Sequence, residues 1–140
     1  MFEFKIVQKS KKSKARLGKI KTPHGEILTP AFIPVATLGV IKGGLDFRDV
    51  EKSNVQCEIM NTFHFLDMDR VGIVEKAGGL HKFFNFPKPI FTDSGGFQVL
   101  SLADLREVGD EGVTFRSNLD GSEHTLTPES VVALQAELGS

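Results

Sequence analysis

Apolar and polar positions alternate from the first residues. Phe2, Phe4 and Ile6 fall on one side of residues 2–7, the period of a half-buried strand. Two further strands are predicted at 15–20 and 26–29, on either side of the turn-forming Thr22-Pro23-His24-Gly25. Together these three segments read as a small antiparallel sheet over 1–29. The pattern then changes. Residues 30–36 form a proline-bounded apolar run that predicts a buried strand. A glycine-rich loop over 39–44 leads to a helix capped by Asp46, with Phe47 and Val50 on one face and Asn54 at its left-handed end. Residues 57–65 predict a second strand. The helix that follows carries Val71, Val74 and Ala77 and stops at Gly78-Gly79. Pro89–Asp93 predicts a third strand, running into a Gly-Gly turn. Residues 113–117 and 123–126 predict a hairpin around Asp120-Gly121. The last helix starts at Thr127-Pro128, buries Val131, Leu134 and Leu138, and ends at Gly139.

Strands that alternate with helices predict an α/β fold with parallel strands, here over 30–140, with the hairpin near 113–126 as an insertion. Three parallel strands would leave one edge open, and the chain stops where a fourth would begin. It is therefore expected to belong to something larger. No apolar run nears the roughly 18 residues of a membrane span, and the first residues lack a secretory order, so a cytoplasmic protein without a membrane partner is expected. The single Cys57 has apolar neighbours and reads as a buried side chain. With one cysteine and scattered histidines, no metal site is predicted within the chain. The net charge of −1 gives no global attraction to nucleic acid, but Lys9, Lys11, Lys12, Lys14, Arg16, Lys19 and Lys21 crowd the first segment. They read as a solvated turn that blocks edge pairing or, less favoured, as a contact to a phosphate backbone.

The sharpest chemical feature is Thr92-Asp93-Ser94-Gly95-Gly96-Phe97-Gln98-Val99. It puts a carboxylate at the carboxyl end of a predicted strand, where α/β folds collect ligands. The two glycines let backbone N–H groups approach a flat group. Phe97 offers a stacking face, and Gln98 donates and accepts hydrogen bonds. On chemistry alone, an ordinary strand-to-helix turn with a capping aspartate stands slightly ahead. Asn61-Thr62-Phe63-His64 ends the preceding predicted strand, so Asn61 and Asp93 are expected to be neighbours. His64 reads as a satisfied core or loop histidine.

Several ordered segments match one family. Ala15–Gly25, Thr29–Val35, Asn61–His64, Gly78–Phe83, Thr92–Val99, Gly112–Ser117, Asp120–Ser122 and Thr127–Glu129 resemble the opening of bacterial tRNA-guanine transglycosylases, also called queuine tRNA-ribosyltransferases. The resemblance implies the first three βα units of a TIM (β/α)8 barrel preceded by a small antiparallel sheet, with the barrel incomplete. It implies exchange of guanine at the first anticodon position of tRNA for a 7-deazaguanine, queuine or its precursor, by double displacement. Asp93 then matches the acid/base aspartate. Asp93, Ser94, Gly95, Gly96, Phe97 and Gln98 match the base-binding loop, and Asn61 and Thr62 match residues that hold the aspartate when no base is bound. The resemblance implies tRNA and guanine or a 7-deazaguanine as partners, and a homodimer in the intact protein. The nucleophilic aspartate and the ligands of a structural zinc lie downstream in that family, so no cofactor is expected within this chain and no exchange by this piece alone. Met60 replaces a small residue and is expected to crowd the pocket. Leu66–Arg70 lacks the family's Arg-Pro-Gly turn. The alternative is a non-catalytic RNA-binding or accessory subunit homologue that lacks the nucleophile.

Overall fold

The computed structural model describes residues 1–102 and 106–140, with the side chains of all these except Phe47 and Leu102. Three strands open the chain, β1 (Glu3–Lys9), β2 (Arg16–Thr22) and β3 (Gly25–Thr29), in an antiparallel sheet of order β1-β2-β3. Periodicity and turn chemistry predicted all three. The Thr22 hydroxyl donates to the Gly25 carbonyl at 2.9 Å and accepts from the His24 N–H at 3.1 Å, which closes the β2–β3 turn. The expected half-burial of residues 2–7 is not found. Phe2, Phe4, Ile6 and Val7 are all exposed, and of the large apolar residues in the sheet only Ile27 is fully buried. Alternation decides which residues share a face, but burial requires a second surface to cover that face. Phe4 instead lies over Gly18, where any added Cβ would meet its ring at 2.5 Å.

Residues 30–36 do not form the expected buried strand. Phe32 is 77% exposed, and only β4 (Ala36–Thr37) pairs, antiparallel with β5 (Val40–Ile41). Pro30 and Pro34 lack the N–H that a ladder needs. What remains of the pairing is a parallel bridge from Val35 to Ile59, with the Ile59 N–H donating to the Pro34 carbonyl at 3.0 Å.

Helix α1 (Phe47–Lys52) begins at Asp46, whose carboxylate caps Arg48 and Asp49 in a reciprocal capping box, and Asn54 takes the left-handed conformation beyond its end. Val50 is buried as expected; the Phe47 side chain lies outside the described residues. Strand β6 (Glu58–Asn61) is shorter than the predicted 57–65. It stops because the Asn61 side chain accepts from the Phe63 N–H at 2.9 Å and starts a 3-10 turn over Thr62–Phe65. Helix α2 (Arg70–Lys76) buries Val74. A short helix that the pattern did not foresee, α3 (Leu80–Phe83), follows the two glycines.

Strand β7 (Ile90–Asp93) pairs parallel with β6. The expected three-stranded parallel sheet is thus one ladder and one bridge. Helix α4 (Gly96–Leu102) and strand β8 (Arg106–Val108) were also not predicted. Strand β8 pairs with the expected hairpin of β9 (Val113–Arg116) and β10 (Glu123–Leu126) to give the order β10-β9-β8. Helix α5 (Pro128–Leu138) is capped by Thr127 and closed by Gly139, as its punctuation predicts.

Two apolar clusters hold the α/β part. One joins Ala36, Val50, Met60, Phe65, Val74, Leu80, Phe86, Ile90 and Leu138. It therefore binds the helix-facing side of β6 and β7 to α1, α2, α3 and α5. The other joins Val99, Phe115, Leu126 and Val131, with Phe63 and Leu66 against it, so that α4 and the hairpin sheet sit beside the 3-10 turn.

Candidate functional site at the ends of two parallel strands

The parallel register pairs Glu58 with Ile90, Ile59 with Phe91, Met60 with Thr92 and Asn61 with Asp93. Side chains alternate along a strand, and register partners share a face. Met60 therefore points with the core cluster, where it is fully buried, and not with Asn61 and Asp93. The expected crowding of the site by Met60 does not occur. Asn61 and Asp93 end their strands side by side, as their places in the sequence predicted.

Asp93 is half-buried, and its Oδ1 accepts from the Gly95 N–H at 2.9 Å. Among the described residues its Oδ2 accepts no hydrogen bond, so one oxygen is fixed and the other is available to a ligand. Gly95 itself is buried at φ +75°, with its missing Cβ 2.9 Å from the Phe63 nitrogen and 3.0 Å from Thr62 Oγ1. A side chain there would meet both the left-handed backbone penalty and a backbone atom. The glycine thus lets the two strand ends approach. The expected hydrogen bonds from Asn61 and Thr62 to Asp93 are not made. Asn61 Nδ2 and Thr62 Oγ1 are instead buried without partners. Buried donors without partners are costly, so both are primed for an acceptor.

The rest of the loop is more open. Ser94 and Gly96 are exposed, Gln98 is half-buried, and Phe97 is 75% exposed with no ring partner among the described residues. Phe97 is thus available as a stacking face, but the wall it was expected to form stands alone here. A cleft of about 610 Å³ lies elsewhere, between the first sheet and α5, with His24 stacked on His81 at 3.4 Å along its side. It reaches Thr92 but not Asp93. Its size reflects an open seam between elements, and the convergent polar groups sit at the strand ends instead.

Three further residues contribute to the site. Phe63 stacks on Phe115 at 5.7 Å and presses the 3-10 turn toward Gly95. Gln135 of α5 donates to the Thr92 carbonyl at 2.9 Å and pins β7 one residue before Asp93. Arg70 donates to the His64 carbonyl at 2.8 Å. Burial and then Arg70 hold the His64 imidazole below its usual pKa, against the opposing pull of Asp93 and Asp67. A neutral His64 beside Asp93 is the consequence near neutral pH. Only Phe63 and His64 carried a signal, through their place in the Asn-Thr-Phe-His segment. Among the described residues no group of three or more His, Cys, Asp or Glu is placed to hold a metal ion, and no helix is long and apolar enough to cross a membrane.

A family model described as queuine tRNA-ribosyltransferase matches residues 10–140. A protein of that name from Halothermothrix orenii is 47% identical over 137 residues, 98% of this chain and 36% of the relative. One from Dictyoglomus turgidum is 49% identical over 137 residues, 98% of this chain and 35% of the relative. One from Prochlorococcus marinus is 43% identical over 140 residues, the whole of this chain and 37% of the relative. The chain thus spans about a third of the length of the relatives it matches.

Proposed function

The chain belongs to the queuine tRNA-ribosyltransferase family, and on that footing we propose that it is the amino-terminal part of a pentosyltransferase that exchanges guanine in tRNA for a 7-deazaguanine. The single observation that carries the reading is the pairing of Asn61 with Asp93 at the carboxyl ends of adjacent parallel strands, with Gly95 closing the gap between them. Ligand chemistry in α/β folds collects at that end of the sheet. The parallel order of the Val35 bridge, β6 and β7 supports these segments as the first three strands of a (β/α)8 barrel.

In this proposal the base enters face-on against Phe97, and its polar edge meets the free oxygen of Asp93, the Gln98 amide and backbone N–H groups of the glycine turn. Asn61 Nδ2 and Thr62 Oγ1 supply donors that lack partners in the present arrangement. A carboxylate elsewhere in the protein attacks the ribose C1′, the bond from C1′ to the base breaks, and Asp93 delivers the proton that the departing base takes up. In the second displacement Asp93 receives the proton lost by the incoming base, and the enzyme–ribose bond breaks as the new glycosidic bond forms. The structural zinc implied by the family resemblance is held, in that family, by residues downstream of the segments matched here. No step here depends on it.

The test is Asp93→Asn in the full-length protein, with guanine incorporation into tRNA as the readout. The expected loss is about 10²–10⁴-fold in kcat, the usual worth of a positioned acid or base, with an unchanged melting curve. Wild-type turnover by this variant would remove Asp93 from the chemistry, whereas a wild-type full-length protein that binds tRNA without exchanging guanine would favour the RNA-binding or accessory reading.

A further inference from the structure

Charge on this chain is segregated. Residues 4–25 carry eight Lys or Arg and no Asp or Glu, although the whole chain has a net charge of −1. Five of these cations, Lys9, Lys11, Lys12, Lys14 and Arg16, lie in or beside the β1–β2 turn, and all are exposed. The near and far halves of the sheet treat their charges differently. In the near half, Lys5 faces Lys19 across the ladder, and Lys19 is neutralised by Glu26 at 2.8 Å. In the far half, Lys9 faces Arg16, and none of the five cations forms an ion pair among the described residues. Like charges placed directly opposite weaken a strand pair. The turn is nonetheless well formed. The Ser10 N–H donates to the Ala15 carbonyl at 2.9 Å, the Ser10 hydroxyl accepts from the Lys12 N–H and the Ser13 hydroxyl accepts from the Ala15 N–H. The serines between the lysines are thus used within the loop, and the cations are left for something outside it.

Beside this tip runs a shallow groove of about 460 Å³ lined by Phe4, Lys14, Ala15, Arg16, Thr29 and Pro30. It combines a half-exposed aromatic ring with two cations that have no ion-pair partner among the described residues. Aromatic faces take bases of any sequence by stacking, and flanking cations take the phosphates. A lysine run alone is most often a solvated edge. An aromatic groove at its foot and an uncompensated cross-strand pair favour a polyanion with flat bases.

We propose that the β1–β2 hairpin is an RNA-backbone contact of the enzyme, separate from the Asp93 site, with one nucleotide seated in the Phe4–Lys14–Arg16 groove. The inference rests on reading the chain as part of a tRNA-modifying enzyme. Its test compares two charge-matched variants of the full-length protein, Lys14→Gln/Arg16→Gln and Lys52→Gln/Lys76→Gln, by steady-state exchange on tRNA and by tRNA binding over a salt series. The hairpin variant is expected to raise KM for tRNA about tenfold at 0.1 M salt with kcat within about twofold. It should flatten the slope of log affinity against log salt by about 0.7–0.9 for each phosphate that is no longer engaged. Phe4→Ala is expected to raise KM in the same direction without flattening the slope. The helix variant should change neither quantity. A hairpin variant with wild-type KM and salt slope, in a protein that still exchanges guanine, overturns this inference and leaves the proposed function standing. Equal losses in both double variants also overturn it, because they would report net charge and not a docked strand. A full-length protein that neither binds tRNA nor exchanges guanine overturns both.

Discussion

The sheet that opens the chain and the strand pair that carries the candidate site are opposites in how they are held. Strands β1 and β2 run for seven residues each, in an antiparallel ladder, yet none of their large apolar side chains is buried. Strands β6 and β7 run for only four residues each, yet Met60, Asn61 and Ile90 are buried. Strand length and pairing therefore do not set burial here; coverage by helices does. The site sits at the carboxyl ends of the covered strand pair, whose register sets Asp93 beside Asn61. The cations and the Phe4 ring sit where coverage is thinnest, which leaves both accessible from solvent.

The sharpest way to break this comparison is to remove equivalent rings from both regions. Phe65→Ala, at 1% exposure in the main cluster, is expected to cost about 3–5 kcal/mol in denaturant unfolding of the full-length protein. A loss under about 1 kcal/mol would mean that this cluster does not hold the strand pair. Next in size is a buried carboxyl at the start of β6. Glu58 is 2% exposed, and burial pushes its pKa from an ordinary 4.5 to about 7. Below pH 4.5 the carboxyl is neutral in both folded and unfolded chains. Between 4.5 and 7 the unfolded chain ionises first, so stability falls as pH rises, and above 7 the penalty is constant. Glu58→Gln should therefore stabilise the protein above pH 7 by an amount on the order of 2 kcal/mol. It should have little effect near pH 4. Thermal melts at both values check this, and a variant that melts in parallel with wild type at every pH would refute it. The smallest effect is expected in the opening sheet, where Phe4→Ala, at 52% exposure, should cost less than about 1 kcal/mol. A cost equal to that of Phe65→Ala would show that the sheet is buried by a surface outside the described residues, and the contrast between the two regions would vanish.

Much of the architecture could be read from short-range signals. Asp46 and Thr127 were legible as helix caps because a cap acts within one turn. The β2–β3 turn and the β9–β10 hairpin were legible because turn residues act within four positions. The apolar run at 30–36 was misleading. Its composition suggested burial, but the prolines that bound it withhold the donors a ladder requires. The end of β6 was misjudged because the residues after Asn61 are apolar enough for a strand, while the Asn61 side chain diverts the backbone into a 3-10 turn. Helix α4 and strand β8 carried no clear period in the sequence, and the hairpin supplies the partner that makes β8 a strand.

Sequence by itself determined the family, the segment that bears Asp93 and the adjacency of Asn61 to Asp93, because ordered motifs and consecutive parallel strands constrain these without coordinates. Tertiary structure alone decided three things. Asp93 bonds to Gly95 and not to Asn61 or Thr62, Met60 turns into the core, and Gln135 pins β7 from 43 residues away. Each depends on which surfaces meet after the chain has folded back on itself. Local periodicity carries no record of a contact whose partner lies on a distant element.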